Sequence, residues 1–276
     1  MKVVFVCGIL LFAGILTAGQ QECSSISGNR EKDLVAKIIS SYHLYDCSDG
    51  TISEGLASSQ CNRLANRLKN NVCRLAQKGL PEKSIRDALD RRGQTMVSFE
   101  PPASIECEGV LSLGSDSAKV VLVVYLCARC RFCRVIIPQL YHAITVGELN
   151  GKVRIVARLF PIKGHEGSVE GGVAFQAAAH LEKFWEYALL AYRNFDSFST
   201  GHIRNWADSA GFTRTAFDSL YDNAAIREEV VHSKKEGMRL GVSETPAFFI
   251  NGRRYVADMD IQTLVDILEE EYENRE

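Results

Sequence analysis

Three cysteines, Cys127, Cys130 and Cys133, stand at three-residue spacing in "VVYLCARCRFCRVIIPQL" (residues 123–140), directly after an apolar run. Such a triplet can ligate metal, exchange disulfides through one pair with the third as a bystander, or simply fill a core as small hydrophobes. Metal ligation has a near match in the ferredoxin run C-x-x-C-x-x-C-x-x-x-C-P, but Ile137 precedes Pro138 where the fourth ligand belongs. No metal is expected. For exchange, the context matters more than the spacing. A Cys at the first turn of a helix that follows a strand directs its sulfur at unpaired backbone N–H groups and the positive end of the helix dipole, which favours thiolate. Cys130 holds that position and is the expected nucleophile. Cys133, one turn on, can close a small disulfide ring and expel a substrate sulfur by attacking the mixed disulfide. Arg129 and Arg131, with Arg134 nearby, are expected to tune the thiolate through their charge.

The elements that must position these thiols are legible around them. "VVLVVYL" is a continuous apolar run of the kind found in a central strand, and the helix that opens at Cys130 contains Pro138. Next come a strand in "KVRIVARLF", a helical block from about Ser168 to Leu240, and "PAFFINGRRYV", where Asn251-Gly252 between two strand-like runs signals a hairpin. "MDIQTLVDILEEEYE" closes the chain as a helix.

Upstream, residues 31–93 read as three helices. "DLVAKIISSYHLY" places Leu34, Val35, Ile38, Ile39, Tyr42 and Tyr45 on one stripe. "TISE" is a capping box opening a second helix expected to reach about Lys78, with Cys61, Leu64, Leu68, Val72 and Leu75 inward and a basic stripe of Arg63, Arg67, Arg74 and Lys78 in solvent. A third helix is expected from Pro81 to Gly93. The predicted organisation is a signal peptide at 1–19, a helical domain at 24–96, a linker with the first strand at 97–118, and an α/β domain at 119–276 with a helical insertion at about 165–240.

With 32 Lys and Arg against 34 Asp and Glu, the chain has a net charge of −2, which gives no global argument for nucleic acid. "MKVVFVCGILLFAGILTAG" reads as a cleaved secretory signal, so the protein is expected in the periplasm or secreted. Of nine cysteines, Cys7 leaves with that signal, and the remaining eight are an even number in a compartment where disulfides persist. Cys47, past the first helix, and Cys61, on the inward stripe of the second, are expected to form a structural disulfide. Cys73 is expected to seek Cys23 or Cys107 or to stay free, and Cys127 to be a buried small residue or the partner of Cys107. None of the six histidines has spacing that suggests a metal site or a general base.

"VVLVVYLCARCRFCRVIIPQL" and "GVSETPAFFINGRRY" together resemble the thioredoxin superfamily, specifically its DsbA-like branch with a helical insertion, over about residues 105–276. "GHEGSVEGGVAFQAAAHLEKFWEYALLAY" is similar to the opening of that insertion. The resemblance implies a thioredoxin-like α/β fold behind a small all-α three-helix domain. Counted back from Pro138, which stands where the family keeps a helix proline, the resemblance registers the redox pair on Cys130 and Cys133 and leaves Cys127 outside it. It also implies a cis-proline at Pro246, preceded by Thr245, that lies against the pair and exposes backbone to substrate. Two departures stand out: Val124 where such proteins often keep a buried acid, and Arg131-Phe132 between the cysteines. Residues 31–93, notably "QKGLPEKSIRDALDRRG", resemble the three-helix domain of cytochrome c maturation proteins of the CcmH type, without that family's C-x-x-C.

The function implied is an exported thiol:disulfide oxidoreductase, oxidase or isomerase, that needs no organic cofactor. Its expected partners are cysteine-containing exported proteins, with a membrane redox partner that reoxidises or reduces it. The alternatives are a thiol reductase or accessory factor in cytochrome c maturation, and a redox-inactive peptide-binding or chaperone module.

Overall fold

The computed structural model describes residues 23–106 and 111–275. The expected signal peptide with Cys7, and Cys107, lie outside them. The chain separates into two compact units between Leu89 and Asp90, against an expected boundary after residue 96.

The first unit contains α1 (Asn29–Ile39), α2 (Ile52–Ala57), α3 (Asn62–Gln77) and the start of α4 (Glu82–Met96). The capping box opens α2: the Thr51 hydroxyl accepts from the Glu54 N–H, and the Glu54 carboxylate accepts from the Thr51 N–H at 2.6 Å. The expected single helix to Lys78 is instead two. Ser58 adopts an extended conformation that ends α2, and its hydroxyl accepts from the N–H groups of Gln60 and Cys61, which gives the backbone an alternative to continuing the helix. Gly79, at φ 75°, ends α3 in the left-handed region that glycine adopts at low cost. The core is an aliphatic cluster of Ile38, Leu68, Val72, Leu75, Ile85 and Leu89. Two disulfides staple this unit, Cys47–Cys61 and Cys23–Cys73.

The second unit is built on a five-stranded sheet of order β1-β3-β2-β4-β5, with β1 (Ser112–Leu113), β2 (Val120–Leu126), β3 (Val153–Leu159), β4 (Ala247–Ile250) and β5 (Arg253–Arg254). β2 and β3 are parallel, and the other pairs are antiparallel. The crossover between β2 and β3 is α5 (Arg131–Thr145), with Pro138 inside it. Between β3 and β4 lies the helical insertion: α6 (Ser168–His180), α7 (Phe184–Arg193), α8 (Thr200–Ser209), α9 (Arg214–Tyr221) and α10 (Ala224–Arg239). Helix α11 (Ile261–Glu273) closes the chain.

β2 is apolar throughout because both of its faces are covered. Val120, Leu122, Val124 and Leu126 point into the large core with α5 and the insertion, whereas Val123 and Tyr125 join a smaller cluster with Phe160 and Phe249. In that smaller cluster the Tyr125 hydroxyl donates to Glu236 of α10 at 2.7 Å, and Arg158 of β3 donates to the same oxygen at 2.9 Å. The β4–β5 hairpin turns at Asn251-Gly252, both at positive φ, as a two-residue turn of this kind requires.

Helix α4 continues to Met96 instead of stopping at Gly93. Its last turns are held by tertiary contacts stronger than the preference of one glycine. Arg92, fully buried, pairs with Asp266 and Glu270 of α11, and the Thr95 hydroxyl accepts from the N–H groups of Val256 and Ala257 at 3.0 Å each. Among the described residues, no helix is long and apolar enough to cross a membrane.

Candidate active site

Cys130 is the N-cap of α5, in extended conformation at φ −93° and ψ 121°. Its N–H donates to the Cys127 carbonyl at 3.1 Å, closing a tight turn after β2, and its carbonyl accepts from Arg134 N–H in the first turn of α5. This geometry turns the Cys130 sulfur back over the open end of the helix, where the N–H groups of Phe132 and Cys133 have no helical acceptor. The thiol donates to the Thr245 carbonyl at 3.0 Å. Thr245 and Pro246 are joined by a cis peptide bond at the head of β4. Thus a strand end, a helix start and a loop that enters a neighbouring strand meet at one sulfur, although Thr245 is far from Cys130 in sequence.

The two thiols of the pair differ sharply. The Cys133 thiol lowers the Cys130 pKa most, followed by the Thr245 side chain and the N–H groups of Cys133 and Phe132, and together they outweigh burial to bring it to about 5. In the thiol form, the buried Thr245 hydroxyl has no hydrogen-bond partner. Ionisation of Cys130 gives that hydroxyl an acceptor, which is a physical reason for the threonine. Cys133 is fully buried, and burial first, then the proximity of Cys130, pushes its pKa well up. Cys127 is also buried, and desolvation raises its pKa.

The arginines expected to tune Cys130 have other destinations, and the helix terminus with the partner thiol does that work instead. Arg129 lies between the rings of Phe195 and Phe198, at 4.4 and 4.5 Å, and donates to the carbonyls of Phe195 and Glu166. Arg134 pairs with Asp196 at 2.8 Å, and Arg131 lies over Phe132. Arg129 therefore ties the active-site turn to the insertion. A cavity of about 550 Å³ opens beside Cys130, lined by Phe132, Ile162, His165, Phe195, Glu244 and Thr245 among others.

Two neighbours were not singled out from sequence. His165 brings Nδ1 to 3.7 Å from the Cys127 sulfur, and the fully buried Tyr192 of α7 donates to the Cys127 carbonyl at 3.2 Å. Tyr192 is one aromatic of an aromatic-rich helix, and its hydroxyl was the only signal that could have distinguished it from core. Among the described residues, no group of three or more His, Cys, Asp or Glu is arranged to hold a metal ion.

A family model described as Thioredoxin matches residues 107–270. The chain belongs to this thioredoxin family. Solved structures with the same fold include oxidised BdbD from Bacillus subtilis, with 17% identity, a TM-score of 0.53, and coverage of 59% of this chain and 92% of that one. The catalytic domain of Proteus mirabilis ScsC aligns with 18% identity and a TM-score of 0.52, over 68% of this chain and 98% of that one. The thiol-disulfide exchange protein alpha-DsbA2 from Wolbachia pipientis aligns with 21% identity and a TM-score of 0.50, over 67% and 94%. These likenesses establish a DsbA-like thioredoxin fold. A curated sequence relative is the Na(+)/H(+) antiporter NhaA of Herminiimonas arsenicoxydans, 26% identical over 176 residues, which are 62% of this chain and 27% of the antiporter. The thioredoxin-family chain spans about a quarter of the length of the curated relatives it matches.

The depressed Cys130 pKa has a direct readout. Ultraviolet absorbance of the thiolate, followed against pH in the reduced protein, is expected to show a midpoint near about 5 that is lost in Cys130→Ser. The folded pKa lies below that of a free thiol, so ionisation stabilises the reduced fold above the free-thiol pKa. That contribution disappears as the pH falls through about 5, and the oxidised protein never has it. A midpoint near the ordinary thiol value would show that the helix terminus and Thr245 do not act on Cys130.

Proposed function

We propose that this chain is an exported protein thiol:disulfide oxidoreductase that works through Cys130-Arg131-Phe132-Cys133 in the oxidising or isomerising direction. The observation that carries the reading is the pairing of an easily ionised Cys130 with a fully buried Cys133, the Cys130 thiol donating to the carbonyl of Thr245, which a cis peptide bond joins to Pro246. In the oxidised enzyme, a substrate thiolate attacks the Cys130 sulfur, the Cys130–Cys133 bond breaks, and its electron pair moves to Cys133. A second substrate thiolate then attacks the substrate sulfur of the mixed disulfide. Cys130 departs as a thiolate, and a low pKa makes it a good leaving group. The products are an oxidised substrate and a dithiol enzyme, which an external disulfide partner must reoxidise.

Thr245 and Pro246 shape the cleft, and the adjoining cavity, with Phe132 and Ile162 on its wall, fits an extended polypeptide carrying the reactive cysteine. Two disulfides in the helical unit support export, because such bonds persist in oxidising compartments.

Direction follows from the thiolate. It belongs only to the reduced enzyme, so lowering its free energy makes the disulfide form easier to reduce and the protein a better donor of disulfides. Equilibration in glutathione buffers tests the reading. The Cys130–Cys133 couple is expected in the oxidising range, above roughly −180 mV. A value near about −270 mV, where reducing thioredoxins lie, would overturn the oxidase and isomerase reading in favour of a thiol reductase.

A further inference from the structure

The two disulfides of the helical unit present their sulfurs to solvent differently. Cys23–Cys73 joins a half-buried residue to one that is fully buried inside α3. Cys47–Cys61 joins the connection between α1 and α2 to the N-terminus of α3. Residues 46–49 of that connection are all exposed, whereas Cys61 is buried, so a thiol in solution meets this bond from the Cys47 side. Cys47 also holds φ 77°, a conformation costly for a residue with a Cβ, and opening the bond frees the loop to leave it.

The surroundings of Cys61 match those of Cys130. Each is the N-cap of a long helix, 16 residues in α3 and 15 in α5, and neither side chain makes a capping hydrogen bond. The Cys61 carbonyl accepts from the Ala65 N–H at 3.0 Å, as the Cys130 carbonyl accepts from Arg134 at 3.1 Å. The first turn of α3 has no acidic residue. A disulfide sulfur is a poor acceptor for the N–H groups of that turn, and a thiolate is a good one. Cleavage toward Cys61 therefore puts the new charge at the positive end of a helix. A charge on Cys47 would instead stand beside Asp46 and Asp49, and the Asp46 carboxylate already accepts the Cys47 N–H at 2.7 Å. At Cys73, inside α3, the backbone N–H groups belong to the helix ladder. Access and electrostatics thus agree on attack at Cys47 and departure of Cys61.

We propose that Cys47–Cys61 is a second thiol–disulfide exchange site, one that oxidises soluble thiols. A thiolate attacks the Cys47 sulfur, the Cys47–Cys61 bond breaks, and its electron pair leaves on Cys61 as a thiolate at the head of α3. A second thiolate attacks the outer sulfur of the mixed disulfide and releases Cys47. Two thiols become one disulfide, and the pair in the protein becomes a dithiol. The step needs neither Cys130 nor Cys133.

The test uses the oxidised full chain carrying Cys130→Ser, so that exchange in the helical unit is read apart from the other motif. Glutathione is added, samples are quenched with acid at early times, and free thiols are alkylated. Cleavage with trypsin and after glutamate then puts Cys23, Cys47, Cys61 and Cys73 on separate peptides. Each cysteine is read by its own mass, so the remaining thiols of the chain do not enter the measurement. Cys47–Cys61 is expected to open at least about tenfold faster than Cys23–Cys73, the advantage of an accessible sulfur with a stabilised leaving thiolate. The first product is expected to carry glutathione on Cys47 and the alkyl group on Cys61. Its formation is expected to be first order in glutathione and unchanged by urea below the unfolding transition, because the folded chain is attacked. Glutathione on Cys61 first, equal rates for the two bonds, no opening of either, or acceleration by urea in step with unfolding would overturn the proposal and leave a purely structural bond.

Discussion

Replacing Cys130 with Ser is expected to abolish disulfide exchange with a reduced protein substrate, lowering the rate by more than about a thousandfold, because the serine hydroxyl neither ionises near neutral pH nor forms a disulfide. Cys133→Ser is expected to lose turnover in a different way. Cys130 still attacks substrate disulfides, but the sulfur that would release them is gone, so covalent adducts accumulate. Cys127→Ser is expected to keep most activity, since its thiol is buried, with a pKa raised by desolvation, and points toward His165. Steady-state rates and non-reducing gels of the three variants check this set. Adducts in Cys127→Ser with free turnover in Cys133→Ser would show that the pair had been assigned in the wrong register.

The second large effect is on stability. Arg92 is 0% exposed and bonds both Asp266 and Glu270, the latter at 2.6 Å, so one guanidinium is shared by two carboxylates where the end of α4 meets α11. Arg92→Met keeps the volume and removes the cation, so both carboxylates lose the guanidinium that they bond. Loss of one partner from a buried ionic group costs about 3–5 kcal/mol, and the urea midpoint is expected to fall accordingly. Restoring neutrality in Arg92→Met with Asp266→Asn and Glu270→Gln is expected to recover most of the loss. A single variant as stable as the parent would mean that solvent reaches these carboxylates and screens them.

Much of the fold was legible because each signal was local and periodic. The seven apolar residues of β2 read as a buried strand, and Asn251-Gly252 marked a turn that only residues tolerant of positive φ make easily. The cysteine spacing after a strand placed Cys130 at a helix start, and Cys47 and Cys61 stood at the two ends of a short connection that brings them together. The expected second helix divided because a side-chain hydroxyl, Ser58, competes for backbone donors on equal terms with helix propagation. The glycine at 93 failed to stop α4 because contacts from α11 and from the segment after β5 hold that turn.

The chemistry divides along the same line. Sequence alone determined which sulfur meets the helix terminus, since that depends only on order along the chain: strand, turn, cysteine, helix. It also determined that a Thr-Pro pair enters a strand far downstream. Only the tertiary structure decided what each charge and hydroxyl does with that arrangement. Long side chains choose partners by distance in space, so Arg129 went to two phenylalanine rings and Arg134 to Asp196, leaving backbone N–H groups, Thr245 and Cys133 to lower the Cys130 pKa. Tyr192 reached the active-site turn only because α7 packs beneath it, a proximity that no sequence spacing encodes.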